Sequence, residues 1–124
     1  MLYRQIAMKA SMKELNKYPD LIFLATKKLT EIDNAIAMLN LSLSRQESIV
    51  DSQLAFDSSL KNEAQRQAKR SEMLNDVYRD SKIELIAMRH DRSLYAAALQ
   101  QLENEFKIAV LAMRLKIAQL PIAD

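Results

Sequence analysis

The chain contains no glycine. Ordinary usage of about 7% would put roughly nine in a chain of this length. Without glycine there are few low-cost routes into left-handed backbone, so tight β-hairpins and glycine-capped turns are nearly excluded. Cysteine is absent too, which removes a disulfide framework, a thiolate zinc site and a cysteine nucleophile. Proline occurs only at Pro19 and Pro121, both near the ends. Nothing between them forbids helix, and an all-α fold is expected.

Other absences narrow function. The formal net charge of +2 is too small to demand a nucleic-acid or membrane partner. In the opening "MLYRQIAMKASMKEL" the only apolar run is Ile6-Ala7-Met8, between Arg4 and Lys9, so no signal-peptide core is present. Together with the missing cysteines this fits a cytoplasmic protein. The lack of glycine also removes phosphate-cradling loops and nucleophile elbows. His90 is the only histidine, and the places three and four residues away hold Ile86, Ala87, Ser93 and Leu94. The Glu-x-x-His pattern of helical di-iron sites is therefore missing. Glu103 and Glu105 sit two apart, on different helix faces, and cannot act as a paired acid and base. The chain reads as a non-enzyme, with no cofactor and no metal.

What is present is periodicity. Apolar residues make up 49% of the 124-residue chain and charged residues 27%, the balance of one folded domain rather than a disordered segment. Stepping by seven from Ile22 gives Leu29, Ile36, Leu43 and Val50, with Ala25, Ile32 and Leu39 three places later. The same frame resumes at Leu74, Tyr78, Leu85, Met88, Tyr95, Leu99, Leu102, Phe106, Ala109, Met113 and Leu120. This is the seam of a coiled coil or tight helical bundle. Between the two stretches it fails, with Asp57, Ala64, Gln67 and Ser71 at seam positions.

Two architectures use this frame. One helix from Asp20 to Gln119 would be about 150 Å long and would need a partner chain to cover its seam. A hairpin covers one stripe with the other. Local chemistry favours the hairpin: Asp57-Ser58-Ser59 competes with helix through side-chain bonds to backbone, and Asn62 with Gln65 has capping-box spacing. Asp80-Ser81 with Glu84 offers a further break and a three-helix variant. "NKYPD" puts a residue biased away from helix before Pro19. The predicted fold is therefore a long antiparallel helical hairpin, coiled-coil-like, with a short N-terminal helix at its base. The predicted spans are 1–18 for the short helix, 20–60 for the first arm and 62–120 for the second. With the turn near Asn62, facing residue numbers sum to about 124, which sets Arg92 opposite Ile32 and Gln46 near Tyr78.

The segment "FKIAVLAMRLKIAQL" is apolar around most of its circumference, too wide for one neighbouring helix. Lys107, Arg114 and Lys116 interrupt it, and it is too short to span a bilayer. Phe106, Val110, Leu111, Met113, Leu115 and Ile117 are the expected interface at the hairpin base, buried under the first helix or against another copy. A homo-oligomer with an unidentified protein partner, and no membrane, is the expected setting.

Polar residues in the seam, Gln46, Gln53 and Arg92, could select register, but Arg92 is expected to extend its head out beside the seam. Around mid-chain, Lys61, Arg66, Lys69, Arg70, Arg79 and Lys82 are matched by Asp57, Glu63, Glu72, Asp76, Asp80 and Glu84. Only Arg66, Lys69 and Arg70 form a locally unbalanced cluster, and no aromatic residue interleaves it for base stacking. These three are the candidate nucleic-acid contact. The first helix adds Arg4, Lys9, Lys13 and Lys17 against Glu14.

With "LKNEAQRQAKRSEML" and "LENEFKIAVLAMRLKIAQL" read together, the chain resembles small uncharacterised helical proteins of phages and other mobile elements. The shared traits are short length, no glycine, a polar middle and an apolar end. The resemblance implies a setting near phage DNA functions and supplies no site residue. The expected function is protein–protein interaction or self-assembly through a helical hairpin. The alternative is a nucleic-acid-binding accessory of recombination or replication.

Overall fold

The computed structural model describes the backbone of residues 2–120, and side chains over that range except those of residues 2–4 and 6–11. Three helices account for nearly all of it: α1 (Leu2–Ala55), α2 (Glu63–Met73) and α3 (Asp76–Gln119). No strand occurs among the described residues. The two long helices pack together within two compact units, Met1–Thr30 with Ser93–Asp124, and Glu31–Arg92.

The expected break at Pro19 does not occur: α1 passes through it, so there is no separate short N-terminal helix and Asp20 lies inside α1 rather than capping it. The reason is visible in the seven-residue frame. Carried backwards from Ile22 it meets Tyr18 and Leu15, and Tyr18 is buried while Leu15 is half-buried. The apolar stripe crosses the proline without a change of phase. Pro19 still removes one donor from the helical ladder, leaving the Leu15 carbonyl without its usual partner. Burial of Tyr18, whose ring meets Phe106 at 5.7 Å between centroids, holds the helix on its partner at that point.

In the unit Met1–Thr30 with Ser93–Asp124, Tyr18 meets Phe106 and the Lys28 ammonium lies 5.9 Å from the centre of the Tyr95 ring. In the unit Glu31–Arg92, the Arg92 guanidinium bonds Asp33 and the Tyr78 hydroxyl donates to Glu47. Lys82 also approaches Glu47, at 3.9 Å. Within each unit, then, rising position on α1 pairs with falling position on α3. The expected facing rule misses the Tyr18, Lys28, Asp33 and Tyr78 contacts by no more than one residue, while Lys82 reaches about a turn further along to Glu47. Arg92 and Asp33 are both partly exposed, so Arg92 makes an ion pair across the helices beside the seam.

Helix α1 ends at Ala55, and Asp57 shapes the turn beyond it. Its Oδ1 accepts from the Ser59 amide at 2.9 Å and from the Ser59 hydroxyl. Asn62 caps α2: its Oδ1 accepts from the Gln65 amide at 2.9 Å, while Gln65 Oε1 accepts from the Lys61 amide at 2.7 Å. This is the capping-box exchange with the return bond shifted by one residue. The second break falls at Asn75, five residues before the expected Asp80, and Asn75 Oδ1 accepts from the Tyr78 amide at 3.3 Å. No described residue has a positive φ. The side-chain oxygens of Asn62 and Asn75 cap the starts of α2 and α3, and the backbone amides of Phe56, Asp57 and Leu74 close the ends of α1 and α2, without left-handed backbone.

Near these breaks the buried row leaves the strict frame. Gln53, at a seam position, is exposed, and Leu54 is buried instead. Val50, Leu54 and Leu74 form a cluster joined by Leu60, Met73 and Tyr78. Spacing of 43, 47, 50 and 54 averages more than 3.5 residues per turn, closer to the natural pitch of a straight helix. Here the residues of the connection and the end of α2 join in covering α1, so the strict repeat is no longer needed.

Pro19→Ala is expected to keep the helix content and raise stability to denaturant by about 1–3 kcal/mol, since it restores the missing amide. A circular-dichroism urea titration that showed no gain would mean the ladder is already broken there.

Candidate interaction surface

The six residues expected at the interface divide into two sets. Phe106, Val110, Met113 and Ile117 are half-buried, and Phe106 is stacked at a tilt on Tyr18. Leu111 and Leu115 are exposed, at 61% and 60%. Ile108, which lies outside that set of six, is exposed as well and falls on the same side of α3, three and seven residues before them. The wide apolar circumference of this segment thus serves one neighbour with one side and leaves the other uncovered.

Phe106, Lys107, Val110, Leu111 and Arg114 line a shallow depression of about 320 Å³ on α3. Their spacing of one, three and four residues places apolar carbons on its floor. Lys107 and Arg114, both exposed, stand at its rim. From Phe106 to Leu120 the sequence carries three cations and no acid.

Exposed apolar residues are not confined to this segment. Leu21, Phe23 and Leu24 are exposed on the same unit, and Met38, Ile49, Phe56, Val77, Ile83 and Ile86 on the other. Only seven hydrophobic residues are buried among the described ones, and none of them fully. Scattered exposed apolar residues are ordinary, but contiguous ones mark contact surfaces. The most exposed is Phe56, at 88%. A search for seam positions passes over it because it lies beyond the last seam residue of α1. Its signal is an aromatic residue set directly before the turn-forming Asp57-Ser58-Ser59.

The basic cluster is countered by nearby carboxylates. Arg70 Nε donates to Asp51 at 2.8 Å, and that bond, with the Asp51 charge, raises the guanidinium above its ordinary pKa. Lys69 lies 3.7 Å from Glu72. Hydrogen bonds from Ser59 hold Asp57 below the usual carboxylate range, with smaller help from Lys69 and Arg66. A depression of about 410 Å³ lies here, lined by Asp51, Glu63, Arg66 and Arg70 among others. Acids and bases alternate around it, and no aromatic face lines it.

His90 is exposed. Among the described residues no three histidines or carboxylates come together in a way that could hold a metal ion. No helix there is long and apolar enough to cross a membrane. Arg4 and Lys9, the first two cations of the N-terminal basic group, have side chains outside the described residues. No protein-family model matches the chain, and neither a curated protein nor a solved structure does.

The Tyr78–Glu47 contact is the polar link with a pH signature. The hydrogen bond to Glu47, then burial, raises the Tyr78 phenol above its ordinary pKa. A raised folded pKa means stability present below pH ~10 and lost as pH climbs through the folded value. Tyr78→Phe is expected to cost about 1 kcal/mol at neutral pH. The gap to wild type should narrow above pH ~10, in urea titrations taken at both pH values. A gap independent of pH would show that the phenol proton plays no part.

Proposed function

We propose that the chain is a non-catalytic, antiparallel helical hairpin of coiled-coil type that works by binding protein, beginning with copies of itself. The observation that carries this reading is the exposed row Ile108, Leu111 and Leu115 on a helix whose opposite side is already packed. Apolar area left in water is stabilised by burial at about 25 cal/mol per Å². A hairpin with a thin core gains from covering it. The half-buried neighbours Phe106, Val110, Met113 and Ile117 give that row a fixed support.

A cytoplasmic setting and a place among phage or mobile-element functions belong to the same proposal and rest on the sequence. The nucleic-acid reading has less support, because Arg70 and Lys69 are held by carboxylates of the same chain. What remains for phosphate is chiefly Arg66. Phosphate contacts are the main source of non-specific affinity for DNA, so little is expected from this surface.

In sedimentation equilibrium at micromolar concentration the wild-type chain should exceed its monomer mass. Ile108→Glu combined with Leu115→Glu should return it to monomer with helicity intact, since both side chains are already in water. A wild-type monomer throughout that range would reject self-association. Single- and double-stranded DNA in low salt should show no binding. Detectable affinity that Arg66→Ala, Lys69→Ala and Arg70→Ala together abolish would instead favour the nucleic-acid reading.

A further inference from the structure

We propose that self-association is head to tail: Phe56 of one copy seats in the depression over Phe106, Val110 and Leu111 of the next, with Asp57 against Lys107 and Arg114. This names the contact behind the self-association proposed above and rests on it.

Phe56 is not a loosely placed residue. Its amide bonds the Gln53 carbonyl at 3.3 Å, and the Asp57 amide bonds that of Leu54 at 3.2 Å. The bonds from Ser59 then fix the Asp57 carboxylate through Oδ1. A large apolar ring is thus presented to solvent from an ordered turn, beside an acid of fixed position. The depression on α3 offers the complement, an apolar floor of about 320 Å³ with two cations beside it.

Charge on the larger scale points the same way. Residues 1–30 carry six cations and two acids, and residues 93–124 three of each, a formal balance of +4 for that unit. Residues 31–92 carry nine cations and eleven acids, a balance of −2. Joining two copies through their α3 surfaces would set +4 against +4. Joining unlike units sets opposite signs together, which favours encounter and orientation. One aromatic side chain brings about 150–250 Å². This is well below the ~1,200–2,000 Å² of a stable dimer interface, so the contact is weak and sensitive to concentration and salt. Because the two surfaces differ, the contact is heterologous, and each added copy leaves one of each kind free unless the assembly closes into a ring.

The test uses the full chain in sedimentation velocity, with Phe56→Ser, Leu111→Glu and an equimolar mixture of the two. Both positions are exposed, and circular dichroism confirms that each variant folds. Wild type should grow in mass with concentration, and each variant alone should be monomeric. The mixture should form a complex of two copies and nothing larger, because one variant keeps the depression and the other keeps Phe56. Association of Phe56→Ser at the wild-type level, or a mixture that stays monomeric, overturns the head-to-tail contact while leaving self-association through α3 intact. A monomeric wild type overturns both. If that monomer binds phosphatidylglycerol vesicles, and Leu111→Glu does not, the depression belongs to a lipid surface and the contact is again overturned.

Discussion

An apolar stripe that keeps its phase is the constraint on which the structure depends. From Leu15 through Val50 on α1, and on α3 from Tyr78 to Met88 and again from Ala96 to Ile117, the covered positions recur at three and four residues. Within each unit that spacing keeps the two long helices in contact. It outweighs even proline: Pro19 costs the ladder a hydrogen bond, yet the stripe continues on both sides and α1 continues with it. Where the strict repeat loosens, at Gln53 and Leu54, the chain is leaving the helix pair and gathering Leu60, Met73 and Leu74 around the end of α1.

Polar contacts contribute alignment more than stability. Asp33 with Arg92, Glu47 with Tyr78, and Asp51 with Arg70 join segments distant in sequence. All three contacts are at least partly open to water, where an ion pair is worth at most about 1 kcal/mol. The first two nevertheless disfavour sliding α1 past α3, because a shift would separate both, and the third ties α2 to the end of α1. No buried side-chain polar atom among the described residues lacks a partner. The seam therefore carries no polar penalty of its own.

Much of this architecture is legible from residue type alone. The lack of glycine indicates helices. The failed seam around Asn62 locates the turn, and the facing rule brings Arg92 to within one residue of its partner. Pro19 misleads when local preference before a proline is weighed without extending the frame back to Tyr18 and Leu15. The break at Asn75 is displaced to Asp80 because the capping box there has a glutamate, whereas Asn75 caps with its amide oxygen alone. The candidate surface is half legible. Periodicity shows that residues 106–117 have more apolar circumference than one neighbour needs, but only coordinates separate Leu111 and Leu115 from the half-buried residues beside them. Phe56 leaves no periodic signal, since an isolated aromatic after a helix belongs to no repeat.

The turn between α1 and α2 contains no left-handed residue, and the chain has no glycine with which to make one. The denatured state feels this as well. Glycine is the residue whose backbone has most freedom to lose on folding, so a chain without it starts from a narrower ensemble. The entropy that must be surrendered is smaller, and a modest interior can hold the folded form. The missing amino acid thus acts before any helix has formed.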